Sequence, residues 1–273
     1  MIRYPIPIDE IERRVNAVKP KWITQARKHT TEGTPAPSWS DIKPVFMTLQ
    51  HDKCAYCERQ LGSVEHGKGE FDMEHYRPKS EVKEWRSRGD GSSTGYAKLA
   101  YHLENYAVAC KSCNNGLKSS YFPIEGIRNT AGDDPATLNL SEKPLLLFPI
   151  GDTVDDPREL IHFVGFAPVA VNEDASHYDN HRAQVTIDFF ELVEREDLLR
   201  ERCRYIRSLC IALLTLKQGL PLADGAIEDS LSAAHPHSNC LNCFKELFDT
   251  NQGLATELAT AAAEWLESKK DKA

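Results

Sequence analysis

Asn105-Tyr106-Ala107-Val108-Ala109-Cys110-Lys111-Ser112-Cys113-Asn114 carries three signals in one short stretch. Tyr106 to Ala109 is apolar and strand-length, Cys110 and Cys113 form a C-x2-C pair, and the residues from Cys113 to about Ser120 read as a short helix. A second pair, Cys54-Ala55-Tyr56-Cys57, precedes it by 52 residues. Each pair makes a tight knuckle that directs two thiolates at one ion. Two knuckles complete the closed tetrahedral site that structural zinc prefers, which leaves no open position for water or substrate. Cys54, Cys57, Cys110 and Cys113 are therefore expected to build the fold, and chemistry is expected between the knuckles.

There the chain reads Phe71-Asp72-Met73-Glu74-His75-Tyr76-Arg77-Pro78-Lys79. Strand alternation places Phe71, Met73 and His75 on one face and Asp72 and Glu74 on the other, and Pro78 ends the run. A carboxylate beside an imidazole at a strand end suits two neighbouring roles: Glu74 can hold a hard divalent cation while His75 serves as general base. Tyr106 to Ala109 is the natural partner strand. Asn114 can offer its amide oxygen to the same cation, and Asn105 can fix the loop that carries His75.

Working outward, Asp9 is placed to cap a first helix from Glu10, and Pro20 separates it from a second helix through Trp22 to Lys28. Thr34-Pro35-Ala36-Pro37 is a loop, after which Ser38 or Ser40 caps a helix leading to Cys54. The interval from residue 82 to 100 holds a Gly/Ser-rich insertion around Gly89-Asp90-Gly91. Beyond Pro123 the chain reads as loop-rich, with turns at Asp133-Asp134-Pro135 and Asp155-Asp156-Pro157 and short strands at Leu145 to Phe148 and Ile161 to Val171. After Asn180 the pattern is helical, with a turn near Gly219 and a terminal helix from about Gly253 to Ser268.

The chain has 273 residues, 41% of them hydrophobic, with 33 Lys+Arg against 41 Asp+Glu. Collagen, coiled-coil and fully disordered classes are excluded. No stretch approaches the roughly 20 apolar residues of a membrane span, and the N-terminus lacks a secretory signal pattern, so a cytoplasmic location without membrane association is expected. Thiols stay reduced there, which favours metal ligation over disulfides. Residues 1–123 carry 19 basic against 15 acidic side chains, whereas residues 124–273 carry 14 against 26. The first part is the one a polyanion tolerates.

These residues resemble the HNH (ββα-metal) endonuclease family. Its pattern of a histidine preceded by a metal-binding residue, a middle asparagine, and a final asparagine just after a knuckle cysteine is matched by Glu74-His75, Asn105 and Asn114. Together with Glu58, Arg77-Pro78-Lys79 and Lys118, the set is most similar to the branch containing retron-associated HNH proteins and the HNH subunit of Septu-type antiphage systems. The likeness extends through Lys143-Pro144-Leu145-Leu146-Leu147, Asp155-Asp156-Pro157, Thr186-Ile187, Arg195 and Arg200, covering roughly residues 45–205. Glu74 stands where many members carry Asp or His, so Asp72 is a further candidate ligand.

The resemblance implies an α+β fold: a zinc-knuckle-pinned ββα-metal core at residues 54–122, an N-terminal helical segment at 1–53, and a mainly helical C-terminal region at 123–273 suited to partner docking. It implies His75 and Asn105 as catalytic residues, a Mg2+ or Mn2+ ion on Glu74 and Asn114, and phosphate contacts from Arg77, Lys79 and Lys118. DNA is the implied substrate, RNA also being compatible, and an ATPase the implied regulatory partner in antiphage defence. Competing readings are an inactive zinc-knuckle module that binds nucleic acid or protein, and a homing or repair endonuclease.

Three features lie outside that pattern. Cys240-Leu241-Asn242-Cys243, preceded by His235 and His237, is a third C-x2-C that leaves a second zinc site open, while Cys203 and Cys210 read as small core residues. Arg200, Arg204 and Arg207 form a stripe that suits either nucleic acid or neighbouring acidic residues. The terminal helix has an apolar side for internal packing or a partner.

Overall fold

The computed structural model describes residues 1–62, 69–86, 89, 91–152, 154–220 and 223–269. Its ten helices and three two-stranded antiparallel sheets among those residues make an α+β protein. Contacts divide the chain into two compact units, one of Arg3–Tyr56 with Gln60–Pro157, the other of Arg158–Ala273 with Met1–Ile2 and Cys57–Arg59. The boundaries expected at 53/54 and 122/123 are not where these contacts divide: the N-terminal helices and the segment up to Pro157 pack in the same unit as the strand pair.

In the first unit, α1 (Ile8–Val18) and α2 (Trp22–Glu32) each bury one narrow stripe, Ile11 with Val15 and Trp22 with Ala26, at i, i+4 spacing. Helix α1 starts two residues earlier than expected because Pro7, in extended backbone, occupies the cap position in place of Asp9. Ser38 does cap, accepting a hydrogen bond from the Ser40 amide, but the turn it starts is a short 3-10 segment, Trp39–Asp41. Helix α3 (Lys43–Leu49) then begins with Pro44 in its first turn, where a missing N–H costs nothing, and buries Val45, Phe46, Met47 and Leu49.

Strand β1 (Phe71–His75) is followed by a two-stranded ribbon, β2 (Glu81–Val82) with β3 (Ser93–Thr94), and then by β4 (Tyr106–Cys110). The Gly/Ser-rich insertion is thus spent on this ribbon, its residues 87, 88 and 90 lying outside the described ones. Gly95 closes the ribbon against the chain before it: a Cβ there would sit 2.4 Å from the Lys79 carbonyl carbon, so only glycine fits. Strands β1 and β4 pair antiparallel over five rungs, from Phe71 opposite Cys110 to His75 opposite Tyr106. All five β4 residues are buried.

The Gln50 side chain closes the other edge of β4, accepting from the Val108 amide at 2.7 Å and donating to the Val108 carbonyl at 2.9 Å. The Ala55 amide also donates to that carbonyl, at 3.1 Å, which fastens the first knuckle to the strand. The short helix expected from Cys113 to about Ser120 is present as Ser112–Lys118, starting within the second knuckle and of the wide π form.

Two expectations beyond Pro123 fail for identifiable reasons. Asp133-Asp134-Pro135 is not a turn but the start of α4 (Pro135–Glu142), in which Asp134 caps the Thr137 amide and Pro135 takes the first position. Leu145 to Phe148 is buried yet forms no strand, though its Leu145 amide donates to the Pro123 carbonyl at 3.0 Å.

Helix α5 (Pro157–Leu160) leads into the second unit, where the stretch expected as a short strand, Ile161 to Val171, is instead a hairpin, β5 (Ile161–Val164) with β6 (Ala167–Ala170), turned by Gly165 at φ 60°. Helices α6 (Tyr178–Phe189), α7 (Glu196–Lys217), α8 (Asp224–Leu231), α9 (Ser238–Thr250) and α10 (Gln252–Ser268) follow. Helix α7 packs on α8, α9 and α10 through a helical stripe that includes Leu198, Ile206, Leu209 and Leu213. Full burial of such side chains contributes about 1.5–3 kcal/mol each. Glu58 caps α9, its carboxylate accepting from Ser238 Oγ at 2.9 Å and the Asn239 amide at 3.3 Å. No helix among the described residues is long and apolar enough to cross a membrane.

Candidate active site and metal centre

Cys54, Cys57, Cys110 and Cys113 are buried and offer sulfur atoms that all lie within 4.8 Å of one another. Tetrahedral zinc at about 2.3 Å from each sulfur needs sulfurs about 3.8 Å apart, a spacing small side-chain rotations reach from here. None of the four forms a disulfide. The Cys110 amide points at Cys54 Sγ, 3.4 Å away, which ties the two knuckles together. The donor set therefore fits a closed structural zinc site.

The third C-x2-C does not add a second one. Cys240 and Cys243 sit on α9, one helical turn apart, so no knuckle forms. Cys243 Sγ lies 3.3 Å from His162 Nδ1, and Cys240 Sγ donates to the Gly165 carbonyl at 3.4 Å. His237 is engaged with Glu201 at 2.9 Å, and His235 Nδ1 lies 2.7 Å from the Pro236 carbonyl. The four-cysteine group is the only ligand cluster of this kind among the described residues. Cys203 and Cys210 are buried on α7, and burial pushes the Cys203 thiol up to about 12, as befits core residues. Arg200 of the basic stripe pairs with Glu196 at 2.7 Å.

The cleft between β1, the Ser112–Lys118 segment and the base of the β2–β3 ribbon has a volume of about 530 Å³. Asp72, Glu74, His75, Lys79 and Asn114 line it, so five of the residues singled out in the sequence share one opening. The alternation of β1 does not separate them, because Glu74 and His75 are both nearly buried at the strand end while both contribute to the cleft wall.

His75 is held by a single carbonyl. Its Nε2 lies 3.1 Å from the Ala100 oxygen, which also receives Trp39 Nε1 at 3.1 Å and the Tyr106 hydroxyl at 2.5 Å. A carbonyl only accepts, so Nε2 carries the proton and Nδ1 the lone pair. Trp39 and Tyr106 also pack edge-on against the imidazole, with centroids 5.1 and 5.0 Å away. Burial, reinforced by the Lys79 charge, pushes the His75 pKa down to about 3, which keeps the ring neutral.

Asn105 sits behind the cleft and clips the loop after His75. Its Oδ1 accepts from the Arg77 amide at 2.7 Å, and its Nδ2 donates to the Arg77 and Leu99 carbonyls at 3.0 and 3.1 Å. It thereby joins the His75 loop to the residue preceding Ala100.

Two expected phosphate contacts have other uses. Arg77 is buried, donates to Glu142 at 3.0 Å and Asn139 at 2.8 Å, and anchors α4 beneath the loop. Lys118 is also buried, its ammonium 2.7 Å from Glu74 Oε1 and 2.9 Å from the His75 carbonyl. Neither reaches solvent, because each neutralises a buried carboxylate that would otherwise be costly. Lys79 does line the cleft, half-buried, with its ammonium 4.5 Å from the Trp39 ring centre.

Hard oxygen donors suited to a small divalent cation are present on the cleft wall in Glu74, Asn114 and Asp72. Burial raises the Glu74 pKa, and the Lys118 charge opposes that rise. Asp72 is paired with Lys111. Residue types alone carry no signal for Trp39 or Glu142 in these roles, since Trp39 reaches Ala100 across 61 positions and Glu142 reaches Arg77 across 65, while Ala100 acts only through its backbone carbonyl and Tyr106 reads only as a strand residue; Ser119, Ser120 and Asn115 also line the cleft. No protein-family model matches the chain, and neither a curated protein nor a solved structure is significantly similar to it.

Proposed function

We propose that the chain is a metal-dependent HNH-type endonuclease that hydrolyses phosphodiester bonds, with DNA as substrate. The observation that carries this reading is the shared cleft, in which a neutral histidine, a carboxylate and an amide oxygen come from a strand pair and the helical segment that follows it. Phosphodiester hydrolysis needs an activated water, charge stabilisation on the phosphate and help for the departing oxygen.

His75 takes the proton of the attacking water on Nδ1, the nitrogen left unprotonated by the Ala100 contact. Asn105 holds the loop that fixes the ring, and Lys79 offers the phosphate a positive partner at the cleft. Glu74 and Asn114 would hold Mg2+ or Mn2+, with Asp72 the next carboxylate on the wall. Such an ion, when bound, polarises the phosphate and stabilises the leaving 3′-oxygen. The four-cysteine zinc belongs to the scaffold.

The resemblance to retron-associated and Septu-type proteins supports the wider reading: the nuclease effector of a cytoplasmic antiphage defence system, restrained by an ATPase partner. Full-length protein incubated with plasmid DNA tests the activity. Nicked or linear DNA is expected with Mg2+ or Mn2+, and intact plasmid in EDTA; intact plasmid under every divalent cation would remove the reading.

A further inference from the structure

Lys118 is fully buried, so its ammonium has no route into water that leaves the surrounding packing in place. It comes from the last residue of the segment that carries Asn114 and ends on two groups of β1, the Glu74 carboxylate at 2.7 Å and the His75 carbonyl at 2.9 Å. Asp72, the other β1 carboxylate on the cleft wall, has Lys111 as its partner. Both carboxylates are therefore matched by ammonium groups before any ligand arrives.

We infer that Lys118 is a positioning residue that competes with the divalent cation for Glu74, so that cation and phosphodiester bind the cleft as a coupled pair. This rests on the nuclease reading. A divalent ion placed on Glu74 stands within a few ångströms of the Lys118 charge, and at protein-interior dielectric that repulsion exceeds a tenfold change in affinity. The negative charge of a phosphodiester beside Lys79 offsets it, and because linkage is reciprocal, the ion raises affinity for the phosphodiester by the same factor. Restricting cation uptake to the substrate-bound state also keeps the free cleft intact, since the Lys118 bridge holds Glu74 and the His75 carbonyl in register.

The test measures Mn2+ binding by calorimetry, and free Mn2+ by electron paramagnetic resonance, on full-length zinc-loaded protein carrying His75→Ala to prevent cleavage. A short DNA duplex is expected to tighten Mn2+ binding about tenfold or more. Adding Lys118→Met should tighten Mn2+ binding to DNA-free protein by a similar factor and remove most of the effect of DNA, whereas Lys118→Arg keeps the charge and the weak binding. Unchanged or weaker Mn2+ binding in Lys118→Met overturns the inference. If Lys118→Met loses its zinc or helix content, the parent decides alone: equal Mn2+ affinity with and without DNA overturns it. Saturable Mn2+ binding that ignores Lys118 refutes only this inference, whereas no saturable binding even with DNA refutes the nuclease reading as well.

Discussion

The Ala100 carbonyl and the Asn105 amide both fix the histidine, one by choosing its tautomer and the other by clipping its loop. Asn105 is the more exposed to test. Asn105→Ala leaves the Arg77 amide and the Arg77 and Leu99 carbonyls without these partners in a buried setting, and should cost about 3 kcal/mol in urea unfolding. A loss below about 1 kcal/mol would show that the loop is held by other contacts. Residue types and spacing were enough to single out Glu74, His75, Asn105 and Asn114 for the cleft and its support. They misled for Arg77 and Lys118, because a basic residue near a strand end looks solvated unless its carboxylate is known, and Glu142 lies 65 positions from Arg77. The Trp39 contact to Ala100, across 61 positions, was illegible for the same reason, whereas Tyr106 is only six positions from Ala100 but reads in the sequence merely as a strand residue.

Among the elements, the paired strands β1 and β4 and the two knuckles were readable because alternation, proline and cysteine spacing all agree there. Helix α4 was hidden because Asp-Asp-Pro is both a turn signal and a cap followed by a first-turn proline, and only the buried Leu138 and Glu142 decide between them. Leu145 to Phe148 has strand composition, but the pairing beside it stays an isolated antiparallel bridge, Ile124 with Pro144, and is not extended into a strand. In the second unit, His237 at the start of α9 offers a pH test. Burial pushes its pKa down to about 4 against the pull of Glu201. Above pH 6.5 the ring is neutral in both states; below it the unfolded chain takes up a proton that the folded chain refuses until about pH 4. Stability should therefore fall by about 2 kcal/mol between roughly pH 7 and 5 from this group alone. Urea titrations of wild type and His237→Gln at the two pH values check it, the variant losing that part of the slope. Equal slopes would mean that His237 is not held neutral by burial.

For the molecule as a whole, the proposed reading gives the cysteine cluster to the fold and the cleft to chemistry, and each half has its own test. Elemental analysis of the full chain should find about one zinc, and Cys113→Ser should abolish it. Stripping the metal with a strong chelator should lower the melting temperature by about 10 °C or more, since binding free energy at such a site is folding free energy. An unchanged melting curve would remove zinc from the scaffold. The most direct test of a metal-dependent nuclease is single-turnover plasmid cleavage with Mn2+, comparing wild type with a His75→Ala variant that retains its zinc, fold and DNA binding. The expected result is a rate about 10²–10⁴-fold lower for the variant, with no cleavage by either protein in EDTA; cleavage by His75→Ala within a few-fold of wild type, or cleavage that persists in EDTA, would contradict it.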